Sequence, residues 1–252
     1  GQQDARWVVA HRQTYGTVGF MMKNLPPTAP TGAPDAMTPP VWPLPKPLLR
    51  GWSHELFTPI ALVAGILLVA LAPTRVERLS CVVYTLAAVL LFGNSAFYHR
   101  GNWSQKAHQV FRRVDHANIF VFIAGSYTPL AVGMLRGGSL HVLLLLIWIC
   151  ALAGVLFRVF WLSAPRWLYV ALYVAMGWAA VGWMGQFWKA GGPAVVLLIA
   201  LGGVIYTLGA PAYGFKRPNP WPGVFGFHEI FHACTILAAA SHYVAICLVL
   251  FR

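Results

Sequence analysis

An all-α membrane protein, built as a seven-transmembrane-helix bundle, is the fold that this sequence predicts. Hydrophobic residues fill 58% of its 252 positions and charged ones only 10%, against roughly 25% charged in an ordinary soluble domain. Apolar runs of about 20 residues recur through most of the chain, the length that crosses the hydrocarbon core of a bilayer. The chain therefore reads as an N-terminal leader or linker over residues 1–47 and a membrane domain over residues 48–252.

The leader contains a proline-rich stretch, residues 24–47, whose prolines and small polar residues cannot build a packed core; an extended or disordered linker is expected there. Residues 1–23 hold no long apolar core of the signal-peptide kind. Seven candidate spans follow, at about 56–71, 79–98, 117–134, 141–161, 167–188, 194–213 and 229–251. The third is the least apolar, because Ser126, Thr128 and Pro129 interrupt it; a bundle can still bury a proline-containing helix where neighbours satisfy the freed backbone groups. Trp52, Trp161, Trp167 and Trp188 stand near span ends, as an aromatic belt would.

The net charge of +12 raises the possibility of nucleic-acid binding, but the positions of the basic residues give a better account. With a cytoplasmic N-terminus, 13 of the 18 Lys and Arg fall on the cytoplasmic side and 5 on the other. The positive-inside bias thus places the N-terminus in the cytoplasm and the C-terminus outside, in a bacterial inner or plasma membrane, with membrane lipids as partners and no nucleic acid. The four cysteines, Cys81, Cys150, Cys234 and Cys247, have no close pairing and read as small apolar residues, with neither a disulfide framework nor a cysteine zinc site.

Polar residues inside this apolar frame are few, and topology gathers several of them. Span two closes on Ser95 and His99, span three opens near Asp115 and His116, and span seven opens on His228 and His232. Even-numbered spans end and odd-numbered spans begin on one face, so these residues share a depth. His228 and His232 are one helical turn apart on one helix face, as are Ser95 and His99. Three imidazoles plus one water make the open tetrahedral shell of a catalytic Zn²⁺. A nearby carboxylate such as Asp115 can orient that water or take its proton. His116, adjacent to Asp115, points about 100° away on a helix and is not expected to face the same metal. His54 opens span one as an outer support of the site or an interfacial anchor.

The segments Arg50-Gly51-Trp52-Ser53-His54, Asn94 to His99, Val114-Asp115-His116, Gly125 to Pro129, Tyr213 to Pro220 and His228 to His232 resemble the hemolysin III branch of the progestin and adipoQ receptor family. That family includes the adiponectin receptors and is related to alkaline ceramidases. The resemblance implies a seven-helix bundle with a cytoplasmic N-terminus and a zinc ion near the cytoplasmic face. It further implies ligands at His99, His228 and His232, a water-mediated contact from Asp115, and Ser95 close by. Eukaryotic relatives are described as receptors with slow ceramide-hydrolysing activity, and bacterial ones carry a lytic label.

Three functions are compatible with this pattern. The first is hydrolysis of a lipid amide or ester, with Asp115 as general base and Ser95 helping to hold the oxyanion. The second is a receptor or cytolytic protein with a structural zinc. The third takes the literal HExxH at His228 to His232 as an intramembrane protease motif with Glu229 as base.

Overall fold

A computed structural model describes residues 46–251, and the leader reading lies almost wholly outside them. Among the described residues every named element is helical: α1 Trp52–Leu71, α2 Arg75–Arg100, α3 Gln105–Met134, α4 Gly137–Phe160, α5 Arg166–Gly177, α6 Met184–Phe215 and α7 Phe227–Leu250. A 3-10 turn, Ala179–Trp183, joins α5 to α6. Among the described residues six helical stretches are long and apolar enough to cross a membrane, the fifth being the 50-residue run Arg166–Phe215.

That run contains both the fifth and the sixth expected spans, and it is where the sequence reading of a seven-helix count departs from the structure. The difference is local. Helix α5 stops after 12 residues at Gly177, and α6 is interrupted at Gly192, whose φ of 76° and ψ of 176° no helical residue adopts. The run folds back on itself: an Arg166 guanidinium N–H donates to the Tyr213 carbonyl at 3.1 Å, and the Trp178 indole donates to the Thr207 hydroxyl at 2.9 Å. Gly192 falls between expected spans 167–188 and 194–213, whereas the break at Gly177 to Trp183 lies inside the first of them, where glycine and tryptophan keep the stretch apolar while interrupting its helix.

Helices α1 to α4 pack in chain order, α6 lies along α7, and α7 also touches α1 and α3. Helix α3 is the most enclosed of the six span-capable stretches, while α1 and α4 turn most of their apolar side chains outward. The polar residues that weaken α3 as a span are satisfied inside it. The Ser126 hydroxyl donates to the Phe122 carbonyl and the Thr128 hydroxyl to the Ala124 carbonyl, and Thr128 accepts from the Trp148 indole of α4 at 3.2 Å. Glycine lets α3 and α2 approach closely: a Cβ at Gly125 would stand 2.6 Å from the Ala87 Cβ. Gly125→Val is expected to destabilise the bundle by about 1–3 kcal/mol through overpacking, read as a lower unfolding temperature of the purified protein in detergent.

Candidate metal centre

The last turn of α2 and the first two turns of α7 meet at one end of the bundle. His99, His228 and His232 are 7%, 8% and 3% exposed, and one nitrogen from each ring lies within 4.8 Å of the others. The His99 and His228 Nε2 atoms are 3.1 Å apart, close to the roughly 3.3 Å edge of a tetrahedron with 2.0–2.1 Å zinc–nitrogen bonds. His232 Nδ1 is buried without a hydrogen-bond partner. Three converging imidazoles, with lone pairs to share and one nitrogen otherwise orphaned, fit a divalent transition metal.

Asp115 enters from α3 with Oδ2 3.9 Å from His99 Nε2, and Ser95 lies near its carboxylate on the same cavity wall. All five residues expected from the sequence, His99, His228, His232, Asp115 and Ser95, are thus near neighbours. Asp115 and Ser95, together with His228 and His232, border a cavity running into the bundle. Its far end is bordered by His242, ten residues after His232 and so about 15 Å further along α7. The walls between are mainly apolar, including Leu130, Phe187, Ile199 and Ala239.

His116 borders the same cavity but is not one of the three converging histidines, and its ring nitrogens are engaged elsewhere. Its Nδ1 lies 2.6 Å from Arg158 Nη2 and its Nε2 3.1 Å from the Tyr213 hydroxyl. A guanidinium only donates, so Nδ1 accepts and Nε2 carries the hydrogen toward Tyr213. Arg158, one of the 13 basic residues that the charge count puts on the cytoplasmic side, is fully buried, with its guanidinium 4.3 Å from the Tyr169 ring centre. An arginine inside an otherwise apolar run was the available signal.

A second buried charge holds the site from outside. The Glu229 side chain is 3% exposed and pairs through Oε1 with Arg50 Nε at 2.5 Å; its Oε2 accepts from the Gly226 N–H at 2.9 Å. Asn219 Oδ1 accepts from the Phe227 N–H, so two of the orphan donors at the start of α7 are capped. The segment before α1 is strapped to the same region. Lys46 donates to the carbonyls of His99 and Gly101, capping α2, and the N–H groups of Leu48 and Leu49 bond the carbonyls of Gly223 and Val224. Partial burial, then the nearby Arg50 and Arg100, hold the Lys46 ammonium pKa below its ordinary value. Gly51, at φ 84°, would place a Cβ 2.8 Å from that of His99.

A family model described as haemolysin-III related matches residues 42–243. The chain belongs to that family. It is 28% identical to the hemolysin-3 homolog of Bacillus subtilis (strain 168) over 181 residues, 72% of this chain and 82% of that protein. It is 27% identical to the monocyte to macrophage differentiation factor of Homo sapiens over 206 residues, 80% and 83% of the two chains. It is 30% identical to the heptahelical transmembrane protein ADIPOR2 of Oryza sativa subsp. japonica over 188 residues, 68% and 82% of the two chains. These likenesses place this haemolysin-III related chain in the hemolysin III branch of the progestin and adipoQ receptor family. With its six span-capable helices, the protein is an integral membrane protein.

The strap gives a test of its own. Arg50→Ala leaves the Glu229 carboxylate buried with only the Gly226 N–H, so a loss of about 1–3 kcal/mol is expected. Arg50→Lys, which keeps the charge, should restore part of it, both measured by thermal unfolding in detergent.

Proposed function

We propose that this protein is a zinc-dependent hydrolase of a lipid amide or ester, working at the cytoplasmic face of a seven-span bundle. The observation that carries the reading is one cavity bordered at one end by two histidines of the three-histidine cluster and by Asp115, and by apolar side chains beyond. A head of hydrolytic chemistry joined to an apolar tail pocket matches an acyl lipid. The fold-back of the run Arg166–Phe215 supports counting it as two passes, and the basic residues support a cytoplasmic N-terminus and an external C-terminus in a bacterial inner or plasma membrane.

His99, His228 and His232 would hold the zinc. When bound there, the metal supplies a Lewis acid for the acyl carbonyl and a bound water of lowered pKa. Asp115, beside His99, takes the proton of the attacking water and returns it to the leaving amine or alcohol. Ser95, against that carboxylate, fixes its orientation and offers a donor toward the developing oxyanion. The apolar walls hold the acyl chain and exclude bulk water, and the substrate enters laterally from the bilayer.

Glu229 has no free part in this scheme. Both of its oxygens are engaged, by Arg50 and by the Gly226 N–H, which argues against its serving as the base of an HExxH protease. A purely structural zinc, in a receptor or a cytolytic protein, is separated by the behaviour of Asp115.

Metal analysis of detergent-purified protein by mass spectrometry is expected to give close to one zinc per chain, lost in both His99→Ala and His228→Ala. Zinc that survives His99→Ala would show that α2 contributes no ligand. Asp115→Asn is expected to keep the zinc and to lower hydrolysis of long-chain lipid amides or esters by about 10²-fold or more. Unchanged hydrolysis in that variant, or none in the zinc-loaded wild type, would make the site a staple between α2 and α7.

A further inference from the structure

His54 lies in the first turn of α1, 3% exposed, and borders the same cavity as Asp115 and His232. Its ring stacks on that of His232, with centroids 3.7 Å apart and planes 12° apart. Phe92 stands perpendicular to it, at 5.0 Å and 86°. Both ring nitrogens are buried and neither makes a well-formed hydrogen bond, although the ring edge comes near the His232 backbone. A neutral imidazole carries one N–H and one lone pair, and burying either unpaired costs stability that an apolar side chain of similar size would not lose. Packing therefore explains the ring and not its nitrogens. Stacking on His232 covers one face and fixes the plane, so a partner must approach along the ring edge.

We infer that His54 is a ligand-binding residue of the cavity, whose N–H donates to the acyl carbonyl oxygen of the bound lipid and turns that carbonyl toward the three histidines. The assignment rests on the acyl-lipid reading above. It deepens that reading by naming the acyl carbonyl, rather than the hydrocarbon tail, as the group that the site recognises. A neutral donor suits the position, because it lies against a metal-holding ring without adding charge beside it.

The test compares two chains of equal length on zinc-loaded, detergent-purified protein, palmitamide with a carbonyl and hexadecane without one, each displacing a fluorescent fatty-acid probe. Wild type is expected to prefer palmitamide. His54→Leu should retain its zinc and an unchanged or higher unfolding temperature, while its affinity for palmitamide falls about tenfold and its affinity for hexadecane holds. His54→Gln, which keeps a donor, should regain most of the preference. Wild-type affinity for palmitamide in His54→Leu would overturn the assignment. So would loss of zinc together with a lower unfolding temperature in that variant, which would make His54 a prop for His232. A wild type that prefers palmitamide and loses that preference in His54→Leu, yet hydrolyses no amide or ester, upholds His54 and removes the hydrolase reading. A wild type blind to the carbonyl removes both.

Discussion

Three imidazoles pressed together among apolar helices are a costly arrangement, and the rest of the architecture answers to it. Their nitrogens crowd one another within 4.8 Å, away from water that might screen them. Neutral rings so placed have lone pairs with too few hydrogens to share, which a single divalent cation resolves at once. To bring them there the chain must hold the last turn of one helix against the first turn of another 129 residues later. The Arg50–Glu229 pair, the Lys46 cap on α2 and the Leu48 and Leu49 backbone bonds all bear on this one junction.

Helix α3 is the second organising element. It brings Asp115 to the junction, and one residue later His116 starts a different polar chain through Arg158 and Tyr213. Adjacent residues on one helix thus serve two clusters, which meet where the Tyr213 ring packs 5.4 Å from that of His228. The two clusters differ in kind, one poised to hold a cation and the other already built around the Arg158 guanidinium. Below them α3 keeps its own hydroxyls bonded back to its carbonyls, which allows so polar a helix to be the most enclosed one.

Much of this was legible in the sequence, for identifiable reasons. Span length is a property of the bilayer, so the apolar runs marked the helices, and i, i+4 spacing marked His228 with His232 and Ser95 with His99. The even–odd alternation of spans was enough to place Asp115 with them. The break at Gly192 falls in the gap left between expected spans 167–188 and 194–213, but the one between α5 and α6 was not legible, because Gly177 and the nearby tryptophans are as apolar as the helix they interrupt. Nor was the partner of Glu229, since Arg50 is 179 residues away and its charge was fully accounted for by topology. The burial of Arg158 was not legible for the same reason: a rule that counts charge by loop says nothing of a guanidinium turned inward over a tyrosine.

The strap at Lys46 to Gly51 ties the metal face to the chain segment preceding the membrane domain, and that tie runs both ways. Lys46 bonds the carbonyl of His99 itself, and Arg50 bonds the residue next to His228. Whatever free energy a cation gains by fixing those helix ends is therefore shared with the docking of the strap. By linkage, a group that lifts the strap must weaken the cation by the same factor that removing the cation loosens the strap. The strap and any cation that the three histidines hold are thermodynamically one unit.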